Sequence, residues 1–144
     1  MKNAILTSLG TVGGFIVYLL GGWDASVITL LILMLIDYIT GLIVAGVFHK
    51  SKKSENGNLE SHACWKGLCK KFVVLLFIIV ANRLDLMLGG GTTVRDAVCI
   101  SFIINEILSI VENAGLMGIP IPKTVTNAIA VLNKNEKDDK TEKG

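Results

Sequence analysis

Inside the apolar stretch from Val98 to Ile119 stands a polar series: Asn105, Glu106, Ser109, Glu112 and Asn113. On a helix, Asn105, Ser109 and Glu112 fall at i, i+4 and i+7, and Glu106 and Asn113 flank the same stripe. Carboxylates and amides are costly within a bilayer, and such groups usually face a bundle interior or a water path. This stripe is therefore the candidate lining of an aqueous path. Three more ionisable residues, Asp37, Arg83 and Asp85, interrupt other apolar segments. Asp37 lies 11 residues before Phe48 and Arg83 lies 11 residues after Phe72. At 1.5 Å per residue each sits about 16 Å from its segment end, near the middle of a core ~30 Å thick. Glu106, 12 residues beyond Val94, reaches a similar depth from the other side. Asp37, Arg83, Asp85 and Glu106 thus form a candidate intramembrane charge cluster, with Asp37 and Arg83 expected to pair. Its role is either structural glue between helices or part of a polar path.

Catalysis is not suggested by this inventory. His49 and His62 lie outside the apolar segments and offer no triad, and Gly89-Gly90-Gly91 lacks the lysine and the strand-to-helix setting of a phosphate loop. Cys64, Cys69 and Cys99 are odd in number and have no framework spacing, so a disulfide scaffold is not indicated. Combined with the histidines they fit no standard zinc spacing, and no metal or cofactor is expected. A net charge of +2 without a basic stripe gives no reason to invoke nucleic acid.

The elements that must position these residues follow from hydropathy. With 51% hydrophobic and 18% charged residues and a mean hydropathy of +0.61, the chain leaves the soluble class. A spanning helix needs about 20 mostly apolar residues. Four segments qualify, at about 4–22, 25–48, 72–88 and 94–119. The apolar run of the first continues past Lys2 with no clear cleavage site, so it is expected to be retained rather than removed as a signal peptide. Gly10-x-x-x-Gly14 in the first span, and Gly41 with Ala45 in the second, have the small-residue spacing that lets helix backbones approach.

The connectors are asymmetric. Two are tight glycine-rich turns, whereas the one between the second and third spans carries Lys50, Lys52, Lys53, Lys66, Lys70 and Lys71. Lysine-rich loops stay in the cytoplasm, so four spans place both termini and this loop inside, against anionic lipid headgroups. A three-span arrangement, with one polar segment lying at the surface, fits the charges less well. Pro120 and Pro122 stop the fourth helix, and Val125, Ile129 and Leu132 then mark a short interfacial helix over 123–132. Residues 133–144 read as a charged disordered tail. The expected fold is an all-α membrane protein: one domain over 1–132, built as a small bundle of about four transmembrane helices.

Four motifs occur in order: Asp37-Tyr38-Ile39-Thr40-Gly41, Lys66-Gly67-Leu68-Cys69-Lys70-Lys71, Asn105-Glu106 through Glu112-Asn113, and Gly118-Ile119-Pro120-Ile121-Pro122. In this order, and at this length and hydropathy, the sequence resembles the phage-lysis and toxin-secretion holin family of Gram-positive bacteria and their phages. The likeness covers about Leu30 to Leu132. It implies a non-enzymatic protein that self-associates in the bacterial cytoplasmic membrane and opens lesions at a set time. An endolysin or a large toxin would leave through them. Two alternatives belong to other classes: a small multidrug-type proton-coupled transporter, and an inhibitor or assembly partner of another holin. The transporter would be expected to carry an acid in its first span and an aromatic substrate cage, and neither is seen there.

Overall fold

The computed structural model of the protein describes residues 1–142, with side chains placed through Leu132 and at Lys134. Five helices follow one another: α1 (Lys2–Leu19), α2 (Ala25–Gly46), α3 (Ser61–Met87), α4 (Thr93–Leu116) and α5 (Lys123–Glu142). There is no strand among the described residues.

Local chemistry sets the helix ends. Asp24 caps α2, its Oδ1 accepting from the Val27 N–H at 3.1 Å. α1, α3 and α4 close alike, with N–H groups of Gly22, Gly90 and Ile119 donating to carbonyls five residues back. At the end of α1 this turn requires φ of +83° at Gly21, a conformation that costs glycine little. Beyond α4, Pro120 and Pro122 prevent continuation, and α5 restarts at Lys123.

α4 is the central helix. It packs along α2 and α3 and touches α5. The core gathers Leu20, Val27, Leu30, Met34, Ile78 and Cys99, flanked by half-buried Val74, Leu75, Val98, Phe102 and Ile103. The buried residues of α3 (Ile78, Ala81, Asn82 and Asp85) recur at i, i+3, i+4 and i+7, a single helical face. α1 differs from the rest: none of its residues is buried, and Gly10 and Gly14 have open space where a side chain would stand. The Thr7 and Thr11 hydroxyls donate back to carbonyls of their own helix. The small-residue face of α1 therefore makes no packing contact within the chain. On α2, by contrast, Gly41 lies 3.8 Å from Asn113 Nδ2, measured from where a Cβ would be, and Ala45 is buried.

One helix among the described residues, α2, is long and apolar enough to cross a membrane by length and composition, with a mean hydropathy of 2.5. A four-span bundle is thus not established by the fold alone, because polar and charged residues dilute the other helices. Two expected boundaries also shift. α3 begins at Ser61, eleven residues before the expected start at 72, because Glu60 and the residues after it tolerate helix without being apolar. α5 runs to Glu142, ten residues past the expected end at 132; the final two residues of the 133–144 segment lie outside the described residues.

Candidate functional site

Two polar clusters hold the bundle, one toward each end. The first is centred on Lys71 of α3. Its Nζ donates to Asp37 Oδ2 of α2 at 2.9 Å and to Glu106 Oε2 of α4 at 2.6 Å. All three side chains are largely buried, at 14%, 7% and 12% exposure. One ammonium therefore bridges two carboxylates from two different helices, and a buried charge needs this kind of partner. Asn113 completes the cluster: its Nδ2 donates to Asp37 Oδ1 at 3.1 Å and to Thr40 Oγ1 at 2.9 Å. Lys53 Nζ stands 3.9 Å from Asp37 Oδ2 at the open edge, and Lys52 pairs with Glu112 at 2.9 Å on the surface.

The second cluster surrounds Arg95 near the start of α4, whose side chain is fully buried. Its guanidinium pairs with Asp24, contacts Asp96 Oδ1 at 3.1 Å, and donates to the carbonyls of Leu20 and Gly21. Asp85 of α3 accepts from the Val94 and Arg95 N–H groups at 2.9 and 2.8 Å, and so caps α4 from a neighbouring helix. Asn82 Nδ2 donates to the Leu19 carbonyl at 3.1 Å. A side chain at Gly21 would run into Asn82 Oδ1 and stand 2.8 Å from the Arg95 guanidinium. These contacts lock the α1–α2 turn onto the α3–α4 turn.

The expected pairing of Asp37 with Arg83 is corrected here. The match in depth depends on a helix starting at 72; α3 begins at Ser61, which brings Lys71 level with Asp37 and leaves Arg83, twelve residues or about 18 Å farther along, at the Arg95 end and one residue off the buried face. Arg83 is exposed and stacks over the Tyr18 ring at 5.7 Å. Lys71, placed at the segment edge by the sequence pattern, is the actual partner of Asp37. The charge cluster is also divided, since Asp85 belongs to the Arg95 end rather than to Asp37 and Glu106. The polar stripe is divided too. Glu106 and Asn113 turn inward to α2 and α3, whereas Asn105 and Glu112 are exposed. Ser109 is half-buried on the inward side, beside Asp37. Of the lysines, Lys52, Lys53, Lys66, Lys70 and Lys71 line one cavity, and Lys50 is exposed, with its N–H bonded to the Val44 carbonyl.

Sequence reasoning missed Arg95, Asp24, Asn82 and Asp96. A signal was available: Arg95 and three aspartates all fall in or beside the two turns expected on one side of a bilayer. Depth along a segment singles out mid-span positions and gives no weight to residues at the ends.

A family model described as the bacteriophage holin family matches residues 14–134. The chain belongs to that family. A probable holin of Bacillus phage phi105 is 35% identical over 114 residues, covering 79% of this chain and 78% of the phage protein. An uncharacterised protein of Listeria monocytogenes is 34% identical, covering 88% of this chain and 85% of its own length. An uncharacterised 14.9 kDa protein of Clostridium perfringens is 33% identical, covering 93% and 96% respectively. No solved structure matches. Membership of the holin family implies a membrane location, in keeping with the large apolar side chains exposed along α1, α2 and α3, such as Leu6, Leu35 and Phe77. Both polar clusters fall within the matched segment.

Proposed function

We propose that the chain is a non-enzymatic holin that crosses the bacterial cytoplasmic membrane four times, with both termini inside. Copies of it self-associate there and open lesions through which an endolysin or a large toxin leaves. The observation that carries this reading is the division of polar groups on α4. Glu106 and Asn113 are satisfied by α2 and α3. Asn105 and Glu112 are exposed on the same helix, and the surface residue Lys52 reaches Glu112. Hydrocarbon cannot solvate these outer groups, so a second copy or water must meet them. The bare apolar surface of α1, with its open Gly10 and Gly14 face, offers a further contact for another copy.

The four-crossing arrangement is supported by charge. The Arg95 cluster ties together the two lysine-poor turns, and the Lys71 cluster lies toward the lysine-rich connector, which the positive-inside rule assigns to the cytoplasm. The test is controlled expression in a bacterial host loaded with a dye that reports membrane potential. Abrupt permeabilisation after a delay is expected. Growth that continues unchanged while the protein accumulates in the membrane would refute the reading.

A further inference from the structure

The Lys71 cluster forms the floor of a cavity of about 550 Å³ between α2, the first half of α3 and the connector that joins them. The connector is a built wall. The Ser51 N–H donates to the Gly57 carbonyl at 3.0 Å, and Gly57 (φ +79°) has no room for a side chain, since a Cβ would stand 2.5 Å from the His49 carbonyl oxygen. Five lysines line this cavity against the three carboxylates of Asp37, Glu60 and Glu106. Lys71 and Lys53 answer Asp37, Lys71 answers Glu106, and Lys52 answers Glu112. Lys66 and Lys70 have no ion-pair partner among the described residues. Ser54 lines the same cavity, and its Oγ is a buried side-chain polar atom without a hydrogen-bond partner among the described residues. Such an atom is costly unless something accepts its proton.

A second, apolar groove of about 320 Å³ adjoins this cavity and shares Tyr38 and Lys71 with it. It runs between α2 and α3 from Leu68 to Met34 and Leu75, away from the connector. A cationic chamber thus opens into an apolar channel that leads toward the middle of the helices.

We propose that this composite cleft binds one anionic phospholipid, with the phosphate between Lys66, Lys70 and the Ser54 hydroxyl, and an acyl chain along the apolar groove. Charge complementarity selects an anionic headgroup, and the groove selects a lipid over free phosphate. The inference rests on the membrane reading above, which puts the lysine-rich end at headgroup level.

Purified full-length protein in neutral detergent, titrated with dioleoyl phosphatidylglycerol and followed by native mass spectrometry, should retain one lipid per chain. Dioleoyl phosphatidylcholine should bind at least about tenfold more weakly, because it carries no net charge. Lys66→Gln with Lys70→Gln, both on an exposed surface, should weaken the anionic lipid about 25-fold, from about fivefold per lysine. Ser54→Ala should weaken it by a smaller factor and leaves the charges intact. Equal binding of the two lipids, or unchanged binding in both variants, would overturn the proposal. So would displacement of the lipid by millimolar inorganic phosphate. The readout does not involve lysis, so a protein that binds phosphatidylglycerol but fails to permeabilise cells would refute the holin mechanism and leave this site standing.

Discussion

Replacing Lys71 by methionine tests whether the bundle depends on one shared cation. The substitution keeps an unbranched side chain one atom shorter and removes its charge. Asp37 Oδ2 and Glu106 Oε2 both contact the same Nζ, at 2.9 and 2.6 Å, so they lie no more than about 5.5 Å apart. At an effective dielectric of ~20, two bare carboxylates at that spacing repel by about 3 kcal/mol. That agrees with the ~3–5 kcal/mol typical when one partner of a buried pair is removed. For a chain of this size about 3 kcal/mol corresponds to a fall in melting temperature on the order of 10 °C. Thermal unfolding of the purified protein in mild detergent, followed by circular dichroism, measures this directly. Lys71→Met combined with Glu106→Met removes the cation and one of its acids together, and should regain at least half of the loss, since the two sites are coupled. Arg83→Met should have a much smaller effect, because that residue only stacks on an exposed tyrosine. If Lys71→Met melts within about 2 °C of the parent protein, or if Arg83→Met falls as far as Lys71→Met, the assignment of Lys71 as the shared cation is wrong.

Arg95→Met should be at least as damaging as Lys71→Met, because it strands Asp24 and the Gly21 carbonyl together, and Gly21→Ala should act in the same direction through its clash with Asn82; the same melting assay reads both. On α4, Asn113→Leu should cost about 1–3 kcal/mol by leaving Asp37 and Thr40 short of a donor, while Glu112→Leu removes only a surface pair worth about 0–1 kcal/mol. Equal losses in the two would show that the stripe is not divided as described. Changing Asn105 and Glu112 together to leucine should leave the protein in the membrane but abolish timed permeabilisation of the host; lysis on schedule would show that these groups do not line the lesion. Gly10→Leu with Gly14→Leu should leave the melting temperature of the monomer in detergent unchanged and reduce chemical cross-linking between copies in the membrane, whereas a large drop in melting temperature would mean that α1 packs within the chain.

What the sequence determined by itself is local. Runs of apolar residues, glycine-rich turns and the two prolines set the number of helices, and α2 and α4 begin and end close to where hydropathy put them. These features are legible because each depends on neighbours along the chain: capping, turn conformation and apolar length need no knowledge of a partner. The order of the motifs sufficed for family resemblance for the same reason. Only the tertiary structure decided which charges meet. Counting 1.5 Å per residue gives depth but not rotation, and each residue turns a helix by about 100°. Because α3 starts at Ser61 rather than at 72, Arg83 lies twelve residues, about 18 Å, beyond Lys71 and falls between Asn82 and Asp85 on the outward side at the Arg95 end, while Lys71 comes level with Asp37 and falls in line with Ile78, Asn82 and Asp85 on the buried face. That line was present in the sequence as a seven-residue spacing, but it picks out a partner only once α2 and α4 are known to lie against it. Arg95 went unread for a related reason: Asp24, Asp85, Asp96 and the Gly21 carbonyl come from separate turns, and nothing short of their convergence shows that a single guanidinium joins them.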